Sequence, residues 1–131
     1  MARILIVDDD PIVSLTLSRM LQWNGHEVVL AESGRAGLER LESDRPDAVI
    51  LDMRMPGMSG LEFLRRIRAA AAHRDLPVGI VTGDYFMDEQ VLNEISALGA
   101  EVRYKPVWVE DLSALLAVLL GERPNPAGGQ T

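Results

Sequence analysis

Short apolar runs alternate along this chain with longer stretches whose apolar residues recur at helical spacing. The short runs are rich in β-branched residues, as buried strands are, and turn-forming residues bound them. They occupy residues 4–7, 27–31, 48–51, 78–81 and 101–104. In the longer stretches, apolar side chains return every three or four residues, which is the period of an amphipathic helix. The pattern predicts five strands and five helices in alternation.

Helix-capping residues stand at the boundaries of the predicted helices. Asp10 precedes a proline, an order typical of an N-cap followed by the first helical residue. Ser59 and Glu62 have the spacing of a capping box. Gly99 predicts the end of the helix that begins near Asp88.

The alternation of strand and helix predicts a parallel sheet that is covered by helices on both faces. The runs ILIV, AVIL and VGIV are continuously apolar, so they are predicted to be central strands. The runs that begin at Glu27 and Glu101 carry charge and are predicted to be edges. This arrangement fits a doubly wound α/β fold with strand order 2-1-3-4-5. Ligands of such sheets bind beyond the carboxyl ends of the strands where the order reverses.

The composition limits the classes of protein that this chain can belong to. Its 131 residues, 47% of them hydrophobic, suit one globular domain. The net charge of -7 argues against direct binding of nucleic acid, and the lack of cysteine excludes disulfides and thiolate chemistry. No apolar run has the length of a membrane span, and the first residues lead into a strand, so we expect a cytoplasmic protein without membrane insertion.

Carboxylates follow the two predicted strands that flank the reversal point. Asp8 and Asp9 come directly after the first strand, and Asp52 follows the third. Carboxylates brought this close raise one another's pKa unless a cation lies among them, and hard oxygen ligands suit Mg²⁺. The sequence therefore predicts a magnesium site. The alternative is that Asp8 and Asp9 only mark a strand end beside the cap Asp10, which leaves the position of Asp52 unexplained.

Two further polar residues stand at the carboxyl ends of strands that are predicted to reach the same crevice. Thr82 ends the fourth strand and Lys105 ends the fifth. A hydroxyl and an ammonium beside a metal ion suit a phosphoryl group, because its transfer needs mainly positioning and charge neutralisation. Asp52 stands alone on a central strand and is the candidate nucleophile for an aspartyl phosphate.

These residues lie in sequence pieces that resemble the response regulator receiver domain of two-component signalling, of the chemotaxis-regulator kind. The pieces are ILIVDDDP, ILDMRMPGMSG, IVTGD and YKP, in this order. The resemblance covers residues 1–121 and implies a flavodoxin-like (βα)5 receiver fold, with residues 122–131 as a flexible tail or linker stub.

The resemblance also implies roles for the site residues. Asp52 would accept a phosphoryl group from a histidine kinase or a histidine phosphotransfer protein, and Thr82 and Lys105 would contact its oxygens. Asp8, Asp9, Asp52 and the backbone carbonyl of Arg54 would bind Mg²⁺, with Mn²⁺ as a substitute. The peptide bond before Pro106 would be cis. A downstream protein partner is expected, with the chain a monomer or weak dimer that catalyses only its own phosphorylation and dephosphorylation.

The sequence departs from the family pattern on the fifth strand. The family commonly has an aromatic residue three positions before the lysine, where this chain has Val102. Either the switch is altered, with Tyr104 nearby, or Val102 is a strand residue that packs against the fourth helix. Trp108, at the start of the last helix, is predicted to belong to a partner-binding face with Val102 and Tyr104.

Arg54 and Asp84 each stand two positions after a site residue and carry opposite charges. In the family such positions influence the lifetime of the phosphoryl group. One hypothesis is an ion pair that shields the phosphoryl group and slows its loss. The alternative is two solvated charges with a small effect.

Three interpretations of the whole chain stay open. The leading one is a phosphorylation-dependent switch, acting as a single-domain regulator or as a receiver cut from a longer protein, since no output domain fits within these residues. A Mg²⁺-dependent phosphohydrolase is the second, although such enzymes usually place another acid beside the nucleophile, where this chain has Met53 and Arg54. The third is a protein-binding module whose phosphorylation site is vestigial.

Overall fold

The computed structural model describes residues 1–121, which form a five-stranded parallel sheet in the order β2-β1-β3-β4-β5. The strands are β1 (Arg3–Val7), β2 (Glu27–Ala31), β3 (Ala48–Leu51), β4 (Val78–Thr82) and β5 (Ala100–Tyr104). The α-helices are α1 (Pro11–Trp23), α2 (Gly34–Asp44), α3 (Gly60–Ala69), α4 (Glu89–Ala97) and α5 (Val109–Leu119). The predicted alternation, order and edge strands are confirmed. The predicted tail, 122–131, lies outside the described residues.

The sheet has an apolar core on each face. Leu5, Val49 and Ile80 point to one face and pack with Phe63 and Ile67 of α3. Side chains from alternate positions of the same strands point to the other face and pack with α1 and α5. Because β3, β4 and all of β1 except Arg3 are buried, the runs ILIV, AVIL and VGIV within them are apolar without interruption. The two cores hold the carboxyl ends of these strands in a fixed arrangement.

The predicted caps are present, with one difference. The Asp10 carboxylate accepts from the backbone of Ile12 at 2.9 Å, and Gly99 ends α4 with a φ of +77°. Ser59 Oγ accepts from the backbone of Glu62 at 3.2 Å. The Glu62 carboxylate instead accepts from Arg66 at 2.9 Å, because the arginine one turn further along α3 offers a charged donor. The capping box is thus only half formed.

The start of α3 lies directly against the end of β3. Gly60 N–H donates to the Met53 carbonyl at 2.9 Å. A Cβ atom on Gly60 would overlap the Asp52 carbonyl oxygen and would lie 2.8 Å from Met53 Cα. Only glycine therefore fits here without moving the backbone that carries Asp52.

Among residues 1–121, none of the helices has the length and apolar character that crossing a membrane requires.

Candidate functional site

The carboxylates predicted to converge do so at the carboxyl ends of β1 and β3. These strands are neighbours in the sheet, and Val7 is paired with Leu51. Asp8, Asp9 and Asp52 follow at once, and each contributes a carboxylate oxygen to a group in which the oxygens lie within 4.8 Å of one another. The parallel register of two adjacent strands thus places three acidic side chains in one crevice.

Asp8 is the most buried member of this cluster, with 3% of its surface exposed. Its Oδ1 atom accepts from the backbone of Asp10 at 2.9 Å, and its Oδ2 atom lies 3.3 Å from Lys105 Nζ. Burial raises the pKa of Asp8, and the charge of Asp52 adds to that effect, while the Asp10 hydrogen bond and the Lys105 ammonium oppose it. The single Lys105 ammonium therefore does not offset the full cost of burying the Asp8 carboxylate.

Asp52 is 8% exposed and is held from two sides. Its Oδ1 atom accepts from the backbone N–H of Met53 at 2.8 Å, and its Oδ2 atom lies 3.7 Å from Lys105 Nζ. Asp9 is exposed and completes the cluster on the solvent side. The Asp52 carboxylate is therefore oriented by the backbone N–H of Met53, while its other oxygen faces the Lys105 ammonium.

Lys105 reaches this crevice from the end of β5, and Thr82 ends the neighbouring strand β4. Lys105 N–H donates to the Thr82 carbonyl at 2.8 Å, and the Lys105–Pro106 peptide bond is cis, as expected. Thr82 is fully buried, and its Oγ1 atom accepts from the backbone of Asp84 at 3.1 Å. The hydroxyl proton of Thr82 is left available for a further acceptor.

The donor set fits a divalent cation of the Mg²⁺ type. Three carboxylates supply hard oxygen atoms at short mutual distance, and such oxygens suit Mg²⁺ or Mn²⁺. Burial raises the pKa of Asp8, so the ionised carboxylate lies in the crevice at a desolvation cost that Lys105 does not fully offset. A cation among these side chains would offset that cost.

The Asp8→Asn variant is expected to be more stable than the wild type in Mg²⁺-free buffer at pH 7. A raised pKa means that the folded state holds the Asp8 proton more tightly than the unfolded state does. The contribution of Asp8 to stability is therefore fully present below pH 3.8, its ordinary pKa, and is lost as pH rises through the folded-state pKa. Asparagine is uncharged and removes the cost of burying an ionised carboxylate. We therefore expect a gain of the order of 1 kcal/mol in the unfolding free energy.

Urea unfolding at pH 7 measures this difference, and it should shrink in acid, where the wild-type carboxyl is protonated. Asp9→Asn is the matched control, since Asp9 is exposed and carries less desolvation cost. A less stable Asp8→Asn protein at pH 7 would show that the Lys105 contact outweighs burial.

Arg54 and Asp84 form an ion pair, the first of the two arrangements expected from their positions and opposite charges. Arg54 Nε lies 3.3 Å from Asp84 Oδ2, with the arginine side chain 78% exposed. Asp84 Oδ1 accepts from the backbone of Phe86 at 3.2 Å. The contact joins the loop after Asp52 to the loop after Thr82, and whether it affects phosphoryl lifetime stays a prediction.

The residues predicted for the switch and partner face lie in different environments. Val102 is half-buried and packs against the core on the α3 and α4 side of the sheet. Tyr104 and Trp108 are exposed, and Trp108 N–H donates to the Asp111 carboxylate at 2.9 Å where α5 begins. Val102 thus packs as an ordinary strand residue does. The partner-binding role of this face stays a prediction.

Sequence reasoning missed one contact of the site. The Tyr85 hydroxyl donates to the Lys105 carbonyl, and the Tyr85 ring stacks on Tyr104. The pairing of β4 with β5 was the available signal for this contact. It places Thr82 beside Tyr104, so a residue shortly after Thr82 can reach β5. The direction of the loop after β4 is not encoded in that pairing.

An apolar groove of about 260 Å³ lies beside the acidic cluster. It runs between α1 and the segment after β5, with Ile12, Val13 and Thr16 on one side and Lys105, Pro106 and Val107 on the other. Ile12 is 76% exposed at its rim. The groove thus presents apolar surface directly beside Lys105.

A doubly wound sheet with an acidic cluster, a threonine and a lysine at its carboxyl edge defines a class of phosphoryl-accepting signalling domains. The chain belongs to the response regulator receiver domain family, because the model of that family matches residues 4–117. This membership confirms the resemblance inferred from the four sequence pieces.

Individual proteins support the same membership. Response regulator MprA of Mycolicibacterium vanbaalenii is 41% identical over 127 residues, which are 97% of this chain and 53% of that protein. The chemotaxis protein CheY4 of Vibrio cholerae superposes with a TM-score of 0.83 at 32% identity, covering 92% of this chain and 99% of that one. The receiver domain of a signal transduction histidine kinase from Syntrophus aciditrophicus gives a TM-score of 0.82 at 26% identity, with both chains fully covered. The chain spans about half the length of the MprA relatives it matches.

Proposed function

We propose that Asp52 accepts a phosphoryl group from a phosphohistidine of a histidine kinase or phosphotransfer protein, and that the added charge switches a partner-binding face. The observation that carries this proposal is the placement of Asp52, whose buried carboxylate lies between two further carboxylates and the Lys105 ammonium. Each of these groups can stabilise one part of a phosphoryl transfer.

In the proposed reaction an Asp52 carboxylate oxygen forms a bond to phosphorus. The bond between phosphorus and the donor imidazole nitrogen breaks, and the imidazole keeps the electron pair and takes up a proton. The Lys105 ammonium and the Thr82 hydroxyl donate to the phosphoryl oxygens and offset their charge. The Met53 backbone N–H keeps the Asp52 carboxylate oriented throughout.

Asp8, Asp9, Asp52 and the Arg54 carbonyl are the proposed ligands of Mg²⁺, or of Mn²⁺ in its place. The ion, when bound, supplies positive charge that neutralises phosphoryl oxygens and the acidic cluster. Asp8 and Asp9 would hold this charge from the end of β1, the strand that neighbours β3.

The groove beside α1 suits the docking of the donor protein. Its apolar walls adjoin Lys105, so a donor helix seated there would bring a phosphohistidine next to Asp52. We further propose that residues 1–121 form the receiver unit, that it works in the cytoplasm as a monomer or weak dimer, and that its output is a downstream protein partner contacted near Tyr104 and Trp108.

The test is the intact mass of the protein after incubation with a small phosphodonor such as acetyl phosphate. We expect a gain of one phosphoryl group with Mg²⁺ and little or no gain in the presence of EDTA. No gain in either condition would contradict the proposal and favour a binding module that works without phosphorylation. Multiple turnover of a phosphate ester would favour a phosphohydrolase instead.

Replacing either member of the Arg54–Asp84 pair is expected to speed the loss of the phosphoryl group. The pair joins the loops that follow Asp52 and Thr82, and in our proposal it restricts the approach of water to Asp52. An exposed pair is worth under about 1 kcal/mol, so Arg54→Gln and Asp84→Asn should each raise the dephosphorylation rate by up to about fivefold. The decay of the added mass after removal of the donor measures this rate.

Arg40→Gln serves as the control, because Arg40 belongs to a surface pair with Asp44 on α2. It should leave the decay unchanged. Equal decay in the wild type and both loop variants would show that the pair is only a pair of solvated charges.

A further inference from the structure

We propose that Tyr85 is a positioning residue that couples the loop after β4 to Lys105, so that phosphorylation of Asp52 is reported by the Tyr85–Tyr104 stack. This inference rests on the proposed function of Asp52 and assigns a regulatory contact to the same site. It concerns two tyrosines that stand outside the carboxylate cluster.

The tyrosine contact joins two segments that each carry a site residue. Tyr85 lies three positions after Thr82, and Tyr104 directly precedes Lys105. The two ring centroids are 5.7 Å apart with an interplanar angle of 30°, which is a stacked arrangement. The Tyr85 hydroxyl also donates to the Lys105 carbonyl. Tyr85 therefore holds the backbone of Lys105 as well as the ring beside it.

The loop that carries Tyr85 is connected to the other neighbours of Asp52. Asp84 N–H donates to Thr82 Oγ1 at 3.1 Å, and the Asp84 carboxylate pairs with Arg54 at 3.3 Å. Two consecutive residues, Asp84 and Tyr85, thus contact Thr82, Arg54 and Lys105. A movement of any of these three groups is transmitted to the loop.

The stack is free to respond because the core does not enclose it. Tyr85 is 55% exposed and Tyr104 is 40% exposed. Val102, which precedes Tyr104 by two positions and so lies on the same face of β5, packs against the core. Val102 is therefore fixed by packing, whereas the tyrosine pair lies partly in solvent and is held by its stacking and by the Tyr85–Lys105 hydrogen bond.

Phosphorylation would act on this contact through charge. A phosphoryl group adds negative charge and acceptor oxygens at Asp52. These oxygens attract the Lys105 ammonium and take a hydrogen bond from the Thr82 hydroxyl, and both residues belong to segments that the tyrosines connect. The relative position of the two rings changes when Thr82 and Lys105 adjust. Loss of the Tyr85 hydroxyl removes one restraint on Lys105.

The chain has only two tyrosines, and both belong to the stack, which makes a direct test practical. Full-length protein labelled with 3-fluorotyrosine should give two ¹⁹F resonances, and Tyr85→Phe and Tyr104→Phe assign them. With acetyl phosphate and Mg²⁺ we expect both wild-type resonances to shift. In Tyr85→Phe the phosphorylation-induced shift of Tyr104 should fall below half, and the rate of mass gain should fall about two- to tenfold, as for loss of one hydrogen bond.

Tyr104→Phe is the matched control because it keeps a ring in the stack and leaves the Tyr85 hydroxyl in place. In this variant the Tyr85 resonance should still shift on phosphorylation. Arg40→Gln, in the surface pair with Asp44 on α2, should keep the wild-type rate of mass gain. Equal thermal stability of the two phenylalanine variants would separate positioning from a loss of folding. If Tyr85 had a purely structural role, Tyr85→Phe would lower thermal stability and leave the rate of mass gain equal to that of the wild type.

The outcomes separate this inference from the proposed function. A mass gain with unchanged tyrosine resonances overturns the inference and leaves the phosphorylation of Asp52 intact. A Tyr85→Phe protein that keeps the wild-type rate of mass gain and the wild-type shift of the Tyr104 resonance also overturns the inference and leaves the phosphorylation of Asp52 intact. Failure of the wild type to gain mass overturns both.

Discussion

The Asp52→Asn variant is expected to gain no phosphoryl group under conditions in which the wild type gains one. An amide oxygen is not the nucleophile that a carboxylate is, so no bond to phosphorus forms. Asparagine has the shape of aspartate and can still accept from the Met53 N–H, which preserves the backbone that the wild type uses. The variant also places less negative charge in the crevice. The absence of a mass gain would therefore result from the missing nucleophile and not from unfolding.

Asp10→Asn is the control for this experiment. It makes the same chemical change two residues from the buried Asp8, at an exposed residue that caps α1. Asparagine caps helices about as well as aspartate, so the fold is retained. We expect the wild-type mass gain for this variant. A full gain in Asp52→Asn would show that another carboxylate is the acceptor, and peptide mapping would locate it.

The fold was predictable because each element carries its own local signal. The runs ILIV, AVIL and VGIV are apolar throughout because both faces of their strands are covered, and this pattern also identified the edges. The strand order then placed Asp8 beside Asp52 without any knowledge of their side-chain geometry. Parallel strands end at a common edge, so residues directly after adjacent strands have to meet.

Contacts made by loops and long side chains were less accessible to sequence reasoning. The Arg54–Asp84 pair could be suggested, because both residues stand at fixed distances from strand ends. The hydroxyl contact of Tyr85 with Lys105 depends on how the loop after β4 turns, which strand periodicity does not specify. The Glu62 carboxylate had two competing partners, the Ser59 backbone and Arg66, and only the structure decides between them.

The acidic cluster and the glycine beneath it illustrate two ways in which the site constrains the fold. Burial raises the pKa of Asp8 and costs stability, and the cation that we propose at this site would offset that cost. Gly60 brings α3 against the Asp52 backbone, where a side chain would intrude. The first constraint is electrostatic and depends on pH and metal ions, whereas the second is steric and depends on neither.

The Gly60→Ala variant is expected to lose about 2 kcal/mol of stability and to accept a phosphoryl group more slowly. The new methyl group would overlap the Asp52 carbonyl and approach Met53 Cα to 2.8 Å, and both are backbone atoms that cannot rotate away. Overpacking of this kind typically costs about 1–3 kcal/mol, and it exceeds the gain of up to about 1 kcal/mol that alanine gives inside a helix. The displaced backbone carries Asp52, so the carboxylate moves relative to Lys105.

Urea unfolding gives the stability difference, and intact mass against time gives the rate of phosphorylation. Gly83→Ala is the matched control, since a Cβ there meets nothing within 4 Å and Gly83 has no positive φ. It should stay within about 0.5 kcal/mol of the wild type, because it adds the same methyl group in open space one residue after Thr82. Equal unfolding free energies and equal phosphorylation rates in Gly60→Ala and Gly83→Ala would contradict a close contact between α3 and the Asp52 backbone.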